Sequence, residues 1–187
     1  PSSTAYHISG ALRLEGQLDV EALKASFTAQ VERHESLRTV FRVRDDGELE
    51  QVIEPAGHVQ VQQVDLSDII DAETRKQRLD EEARRLHQTP FDLQTGPLLR
   101  LGLIRESRDS HVLVVVMHHI ISDGWSMQVI VEEFVAQYRA RVEGREPELA
   151  PLLIQYADYA VWQRNWLEAG EKERQLAYWR EQLGGEQ

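Results

Sequence analysis

Strand-like and helix-like stretches alternate along this chain in the order βαβββαββααα. That order predicts a mixed α/β (α+β) protein, a two-layer arrangement in which helices pack on a mixed central sheet. Three observations carry the prediction. Residues 112–117, VLVVVM, form an apolar run of strand length with no polar alternation, as a strand buried on both faces requires. Val20, Leu23, Phe27 and Val31 recur at helical intervals. Asp45-Asp46-Gly47 separates two short runs of β-formers, which is the signature of a hairpin.

The elements follow in order. Tyr6 to Leu14 reads as a strand, with Ala11, Leu12 and Leu14 near its end. Asp19 is placed to cap a helix from Val20 to His34, and Leu18 and Leu23 flank it at the spacing of a hydrophobic staple. Thr39 to Val43 and Leu49 to Ile53 form the hairpin, and Val59, Val61 and Val64 mark a further short strand. A charged helix is expected from Ser67 to about Gln88, with Ala72, Leu79, Ala83 and Leu86 inward and Thr89-Pro90 as its stop. Leu98 to Arg105 and His111 to Met117 are strands joined by the polar stretch Glu106 to Ser110. A helix beginning near Ser126 presents Met127, Ile130, Phe134, Tyr138 and Val142 on one face and ends at Gly144. After a connector from Glu146 to Pro151, Ile154 to Leu167 and Glu171 to Leu183 read as two more helices, and Gly184-Gly185 resembles the start of a linker.

The 187 residues suit one good-sized domain, or half of a larger one. A net charge of −11 with no basic stripe makes nucleic acid a poor partner, because phosphate binding rests on clustered Lys and Arg. The absence of cysteine removes disulfides, thiolate nucleophiles and the usual structural zinc sites. No leader-like segment opens the chain, and its longest apolar run is far too short for a membrane span. A soluble, cytoplasmic protein with no nucleic-acid or membrane partner is the expectation.

Chemistry concentrates in VMHHIISDGWSM, residues 116–127. Strand ends are favoured functional positions in α/β proteins. His118 and His119 are adjacent, so in extended chain their side chains point to opposite sides and only one of them faces a given cleft. Taken singly, each histidine is as readily a hydrogen-bonded structural residue, and Asp123 a cap for the helix of Met127. A metal site on His118, His119 and Asp123 suffers from diverging side chains and lacks any recognised ligand spacing, so no metal is expected. No nucleophile-elbow motif supports a Ser-His-Asp triad.

HHIISDGWS resembles the HHxxxDG motif of condensation domains from non-ribosomal peptide synthetases. Three further stretches agree, in the family's order. RHESLRTVF, Arg33 to Phe41, is similar to RHExLRTxF. TPFDLQTGPLLR, Thr89 to Arg100, is similar to the PFDL…GPLLR segment, and YADYAVWQR, Tyr156 to Arg164, to YxDxAxW. The resemblance implies a chloramphenicol-acetyltransferase-like lobe. It also implies amide formation between a donor acyl or peptidyl thioester and an acceptor aminoacyl thioester, each carried on the phosphopantetheine of a peptidyl carrier protein, with no cofactor bound by the lobe itself. Residues 1–187 correspond to the N-terminal lobe; the family's first motif, its later motifs and the C-terminal lobe do not fall within them. An excised or truncated lobe, inactive by itself, is the expectation.

By the same resemblance, His119 is the catalytic histidine facing the tunnel, accepting the amine's proton or orienting the amine. His118 points into the lobe. Asp123 fixes the active-site loop by pairing with an arginine, for which Arg38 is the candidate and Arg33 the alternative. Gly124 lies beside the thioester and leaves room for the pantetheine arm. Trp125 and Ser126 shape the loop and cap the following helix, and the aromatics Tyr156, Tyr159 and Trp162 serve packing. SDGWS resembles the subtype joining an L-configured donor to an L-configured acceptor. The implied partners are upstream and downstream carrier proteins, the C-terminal lobe and an adenylation domain. Two rival readings are another HxxxD acyltransferase using coenzyme-A-linked donors and a non-catalytic lobe that only docks carrier protein.

Overall fold

The computed structural model describes residues 6–57, 59–121, 127–143 and 154–156. The sequence folds there as β1 (His7–Glu15), α1 (Val20–Arg33), β2 (Thr39–Val43), β3 (Leu49–Ile53), β4 (Val61–Asp65), α2 (Ala72–Gln88), β5 (Leu99–Ser107), β6 (Ser110–His118), α3 (Met127–Glu143) and β7 (Ile154–Tyr156). Single 3-10 turns precede β2, at Glu35–Arg38, and follow β6, at His119–Ile121. The main sheet runs β4-β5-β6-β1-β7, and β2 and β3 form a separate hairpin. β4 and β5 pair in parallel; β5 with β6, β6 with β1 and β1 with β7 are antiparallel. The sheet is mixed, as expected, with β6 at its centre.

Strand alternation sorts the core into two faces. Leu113, Val115 and Met117 of β6 join Leu12, Leu14, Leu99, Leu101 and Leu103 on the face covered by α1 and α3. Val112, Val114 and Val116 join Ala11 and Ile104 on the opposite face, under Leu79, Ala83 and Leu86 of α2. Helices thus divide between both faces, and the unbroken apolar run of β6 follows directly.

Local chemistry sets the helix ends. The Asp19 carboxylate accepts from Ala22 N at 3.0 Å, and His34 closes α1 as its C-cap, one residue beyond the last helical position. Phe27 of α1 stacks on Phe134 of α3 at 4.7 Å, and the buried Tyr138 hydroxyl accepts from Asp19 N at 3.0 Å. The second long helix starts at Ala72 rather than Ser67. Asp65 draws Ser67 into a turn, accepting from its N at 2.9 Å and its Oγ at 2.6 Å, whereas Asp71 caps through Thr74 N at 2.9 Å. Ala72, expected inward, is exposed in that first turn.

The stretch Ile154 to Tyr156 is the clearest departure. Expected as the start of an aromatic helix, it forms β7 and pairs with Ser9 to Ala11. β1 has an edge that β6 leaves open, and backbone groups there gain partners that local propensity does not anticipate. The rest of that expected helix, the connector before it, the helix from Glu171 to Leu183 and Gly184-Gly185 lie outside the described residues.

Gly102 of β5 lies under Leu86, so an added Cβ would meet the buried Leu86 side chain. Gly102→Ala is expected to destabilise the domain by about 1–3 kcal/mol through overpacking, measured as a lower urea midpoint with an unchanged slope.

Candidate active site

The last residue of β6 is His118, whose N–H closes the ladder on Leu98 O at 3.0 Å. The chain then leaves the sheet in the turn His119–Ile121. The His118 ring makes this turn: its Nδ1 accepts from Ile120 N at 3.0 Å. An N–H can only donate, so Nδ1 carries the lone pair and Nε2 the proton of the neutral ring. Ile121 is buried and pins the turn's far end, while His119 is exposed.

His118 is half-buried among three aromatic rings, two from the adjacent Tyr6 and His7 and one from Phe91. Tyr6 stacks on it at 6.1 Å, His7 lies at 5.8 Å and Phe91 meets it edge-on at 6.1 Å. Burial pushes the His118 pKa down, helped by the charges that His7 and His119 would carry. The neutral form is the one whose Nδ1 can accept from Ile120.

Beneath this ring the carboxyl end of α2 is tied to the sheet. Helices leave their last carbonyls unmet. Here Thr89 N takes Arg85 O at 3.0 Å, Arg100 takes Leu86 O, and His7 Nδ1 donates to His87 O at 2.6 Å. Arg100 also donates to Thr89 O at 2.9 Å and lies 4.0 Å above the Phe91 ring, a cation–π contact. Its burial, with the Arg85 charge nearby, brings the Arg100 pKa down to about 10. Ser9 Oγ bonds the His87 Nδ1. His7 is 1% exposed and its pKa is lowered, first by burial.

The expected site residues divide as follows. His118 and His119 occupy different environments, the first among rings on the α2 side and the second on the exposed turn. Arg38 directs its guanidinium at backbone: Nε to Val31 O at 3.0 Å, and its terminal nitrogens to Glu54 O at 2.8 Å and Glu32 O at 3.3 Å. Arg33 lies 3.7 Å from Glu133. Asp123, Gly124, Trp125 and Ser126 lie outside the described residues. Among the described residues, no three His, Cys, Asp or Glu side chains gather as they would around a metal ion. The same residues include no helix long and apolar enough to cross a membrane.

Sequence reading missed His7, Ser9, His87 and Arg100 as neighbours of the site. His87 had a signal, since it follows Leu79 and Ala83 on the inward face of α2. His7 had none within its own segment. Only the pairing of β1 with β6, which sets His7 opposite His118, brings it in.

The family model described as "Condensation domain" matches residues 1–187. The chain belongs to the condensation-domain family. A linear gramicidin synthase of Brevibacillus parabrevis is 47% identical over 188 residues, covering 99% of this chain and 2% of that protein. The starter condensation domain of the rhizomide synthetase RzmA superposes with a TM-score of 0.67 at 26% identity, covering 80% of this chain and 36% of that one. SgcC5 from Streptomyces globisporus gives a TM-score of 0.68 at 36% identity, covering 99% of this chain and 41% of that one. This condensation-domain chain therefore spans a small part of its synthetase relative and well under half of the two solved chains.

A pH dependence follows from three depressed histidines. His7, His111 and His118 all have lowered pKa values, each chiefly through burial. In the unfolded chain they titrate near about 6.5 and bind protons that the folded chain refuses. Their stability is present above that value and lost as pH falls through the folded values. Asp46, Asp65, Asp71 and Asp92 are also lowered, but they act only below about pH 4. The urea midpoint of the domain is expected to fall between about pH 7.5 and pH 5.5. A flat midpoint across that window would contradict three histidines held neutral by the fold.

Proposed function

We propose that these residues are the N-terminal lobe of an amide-forming condensation domain, with His119 at the reacting centre. The amine nitrogen of an acceptor aminoacyl thioester attacks the carbonyl carbon of a donor acyl or peptidyl thioester. The carbon–sulfur bond breaks, the donor's carrier thiol leaves, and the amine loses a proton. An imidazole lone pair at His119 serves by taking that proton or by holding the amine N–H in line for attack. The observation that carries the reading is the splitting of the two histidines. His118 is spent on the turn, and His119 stands exposed where the central strand ends.

The residues beyond Ile121 complete the proposal. Asp123 holds the active-site loop, and the N–H groups of Arg38 not directed at Val31, Glu32 and Glu54 serve as its partner. Gly124 leaves room for a pantetheine arm. Trp125 and Ser126 shape the loop and cap the helix that follows. Donor and acceptor arrive on phosphopantetheine arms of upstream and downstream carrier proteins, and an adenylation domain loads the acceptor. A C-terminal lobe supplies the other wall of the tunnel, so the lobe alone is inactive. The sequence after Asp123-Gly124 favours an L-configured donor and an L-configured acceptor.

The test is amide product measured by mass spectrometry, with the lobe joined to its C-terminal partner and both carrier proteins loaded. His119→Ala is expected to lower product formation by about 100-fold or more, with circular dichroism unchanged. A coenzyme-A thioester offered as donor is expected to be a poor substitute. Undiminished product from folded His119→Ala removes His119 from the chemistry, and preference for the coenzyme-A donor moves the protein to a different acyltransfer reaction.

A further inference from the structure

The hydrogen bonds around the two inner histidines dictate opposite tautomers. The partner of His7 Nδ1 is the carbonyl of His87, 2.6 Å away, which can only accept, so His7 carries its proton on Nδ1. The partner of His118 Nδ1 is the N–H of Ile120, which can only donate, so neutral His118 carries its proton on Nε2. The rings are 5.8 Å apart because β1 and β6 set His7 directly opposite His118.

His7 therefore does two things at once. Its N–H holds the carboxyl end of α2 against the start of β1. Its ring fills the space beside His118 and meets Phe91 edge-on at 4.9 Å. Phe91 is held in turn by Arg100, which bonds the same helix end. Release of the His87 carbonyl would leave a buried acceptor without its donor, a costly state that the helix end would shift to relieve. Phe91 would shift with it, and His118 would lose two of its ring neighbours in their present places. Free to turn, His118 would release Ile120 N, and the turn bearing His119 would loosen.

We propose that His7 is a positioning residue for the condensation site: by clamping the end of α2 and packing beside His118, it keeps His118 as the acceptor for Ile120 N and so fixes the turn that presents His119. This rests on the reading of His119 as the amide-forming histidine. His7 touches neither substrate nor His119 in this scheme, and its effect travels through His118.

The experiment uses the complete two-lobe domain with both carrier proteins loaded, and compares three substitutions. His7→Leu keeps much of the volume and loses the donor. His7→Asn carries an amide nitrogen where Nδ1 stood. His7→Gln carries the same amide one bond further out, past the carbonyl. Rates are measured against acceptor concentration, and the His118 tautomer is read from nitrogen-15 shifts of histidine-labelled protein. His7→Leu and His7→Gln are expected to lose about tenfold in kcat with acceptor KM changed by less than about twofold, the pattern of lost alignment rather than lost binding. Both are expected to show His118 as a mixture of tautomers. His7→Asn is expected to stay within about threefold of the native rate, with His118 wholly in the Nε2–H form. Should His7→Leu fail to fold, the contrast between Asn and Gln decides.

Native rates in folded Leu or Gln variants would overturn the proposal. So would lost rate with an unchanged His118 tautomer, or an Asn variant as slow as Gln. His119→Ala is run alongside. If it leaves product undiminished, the amide-forming reading falls by itself, and the tautomer measurement alone judges whether His7 controls His118.

Discussion

A strand sealed on both faces must at some point return to water, and β6 does so at His118. Within the sheet its backbone is met by β1 and β5, and its side chains by the two apolar clusters. The ladder ends at Leu98 O, and the next N–H groups need acceptors close at hand. His118 answers by turning its own ring back onto Ile120 N. A histidine doubling at this point is thus a division of labour. The first ring satisfies the backbone, and the second is held at an exposed position by the turn that the first one makes. Polar satisfaction at a strand end and the presentation of a second imidazole are here the same structural event.

The two faces of the sheet contribute differently to that event. The α1–α3 face is almost wholly apolar, and its Phe27–Phe134–Tyr138 packing supplies stability without chemistry. The α2 face begins the same way, with Val112, Val114, Ala11 and Ile104, but becomes polar toward the end of β6. There His7, Ser9, His87 and Arg100 replace aliphatic side chains. A polar cluster so deep in a domain is tolerated because a helix end stands beside it, with carbonyls that need donors. Arg100 and His7 meet that need, and in doing so they fasten α2 to the two strands that flank β6.

Much of this was legible from local sequence wherever local chemistry decided the outcome. The apolar run of β6, the Asp19 cap, the Asp45-Asp46-Gly47 hairpin and the inward stripe of α2 each have a cause contained within a few residues. Two stretches differ from their local pattern. Asp65 holds Ser67, the expected helix start, in a turn, and Asp71 caps through Thr74, so α2 starts at Ala72. Ile154 to Tyr156 follows the open edge of β1 rather than its own pattern. The inner histidine cluster was invisible for a different reason. His7 and His118 are separated by most of the chain, and no periodicity within either segment encodes that the two strands lie side by side. Arg38 illustrates the same limit, since its contacts with Val31, Glu32 and Glu54 join a helix end to the exit of a hairpin.

The strand order carries a consequence for how the protein is made. β1 leaves the ribosome well before its neighbours β6 and β7, which come from residues 110–118 and 154–156. Its ladder groups and its apolar face must wait through the synthesis of α1, the hairpin, β4, α2 and β5. Such long-range closure is slow and leaves an unpaired edge open to other nascent chains in the meantime. Wherever similar lobes are strung along one polypeptide, the vulnerable interval recurs with every copy. The helix α1, which forms from contiguous residues and shares an apolar cluster with Leu12 and Leu14, is the first partner available to that face of β1, while the ladder edge stays open until β6 is made.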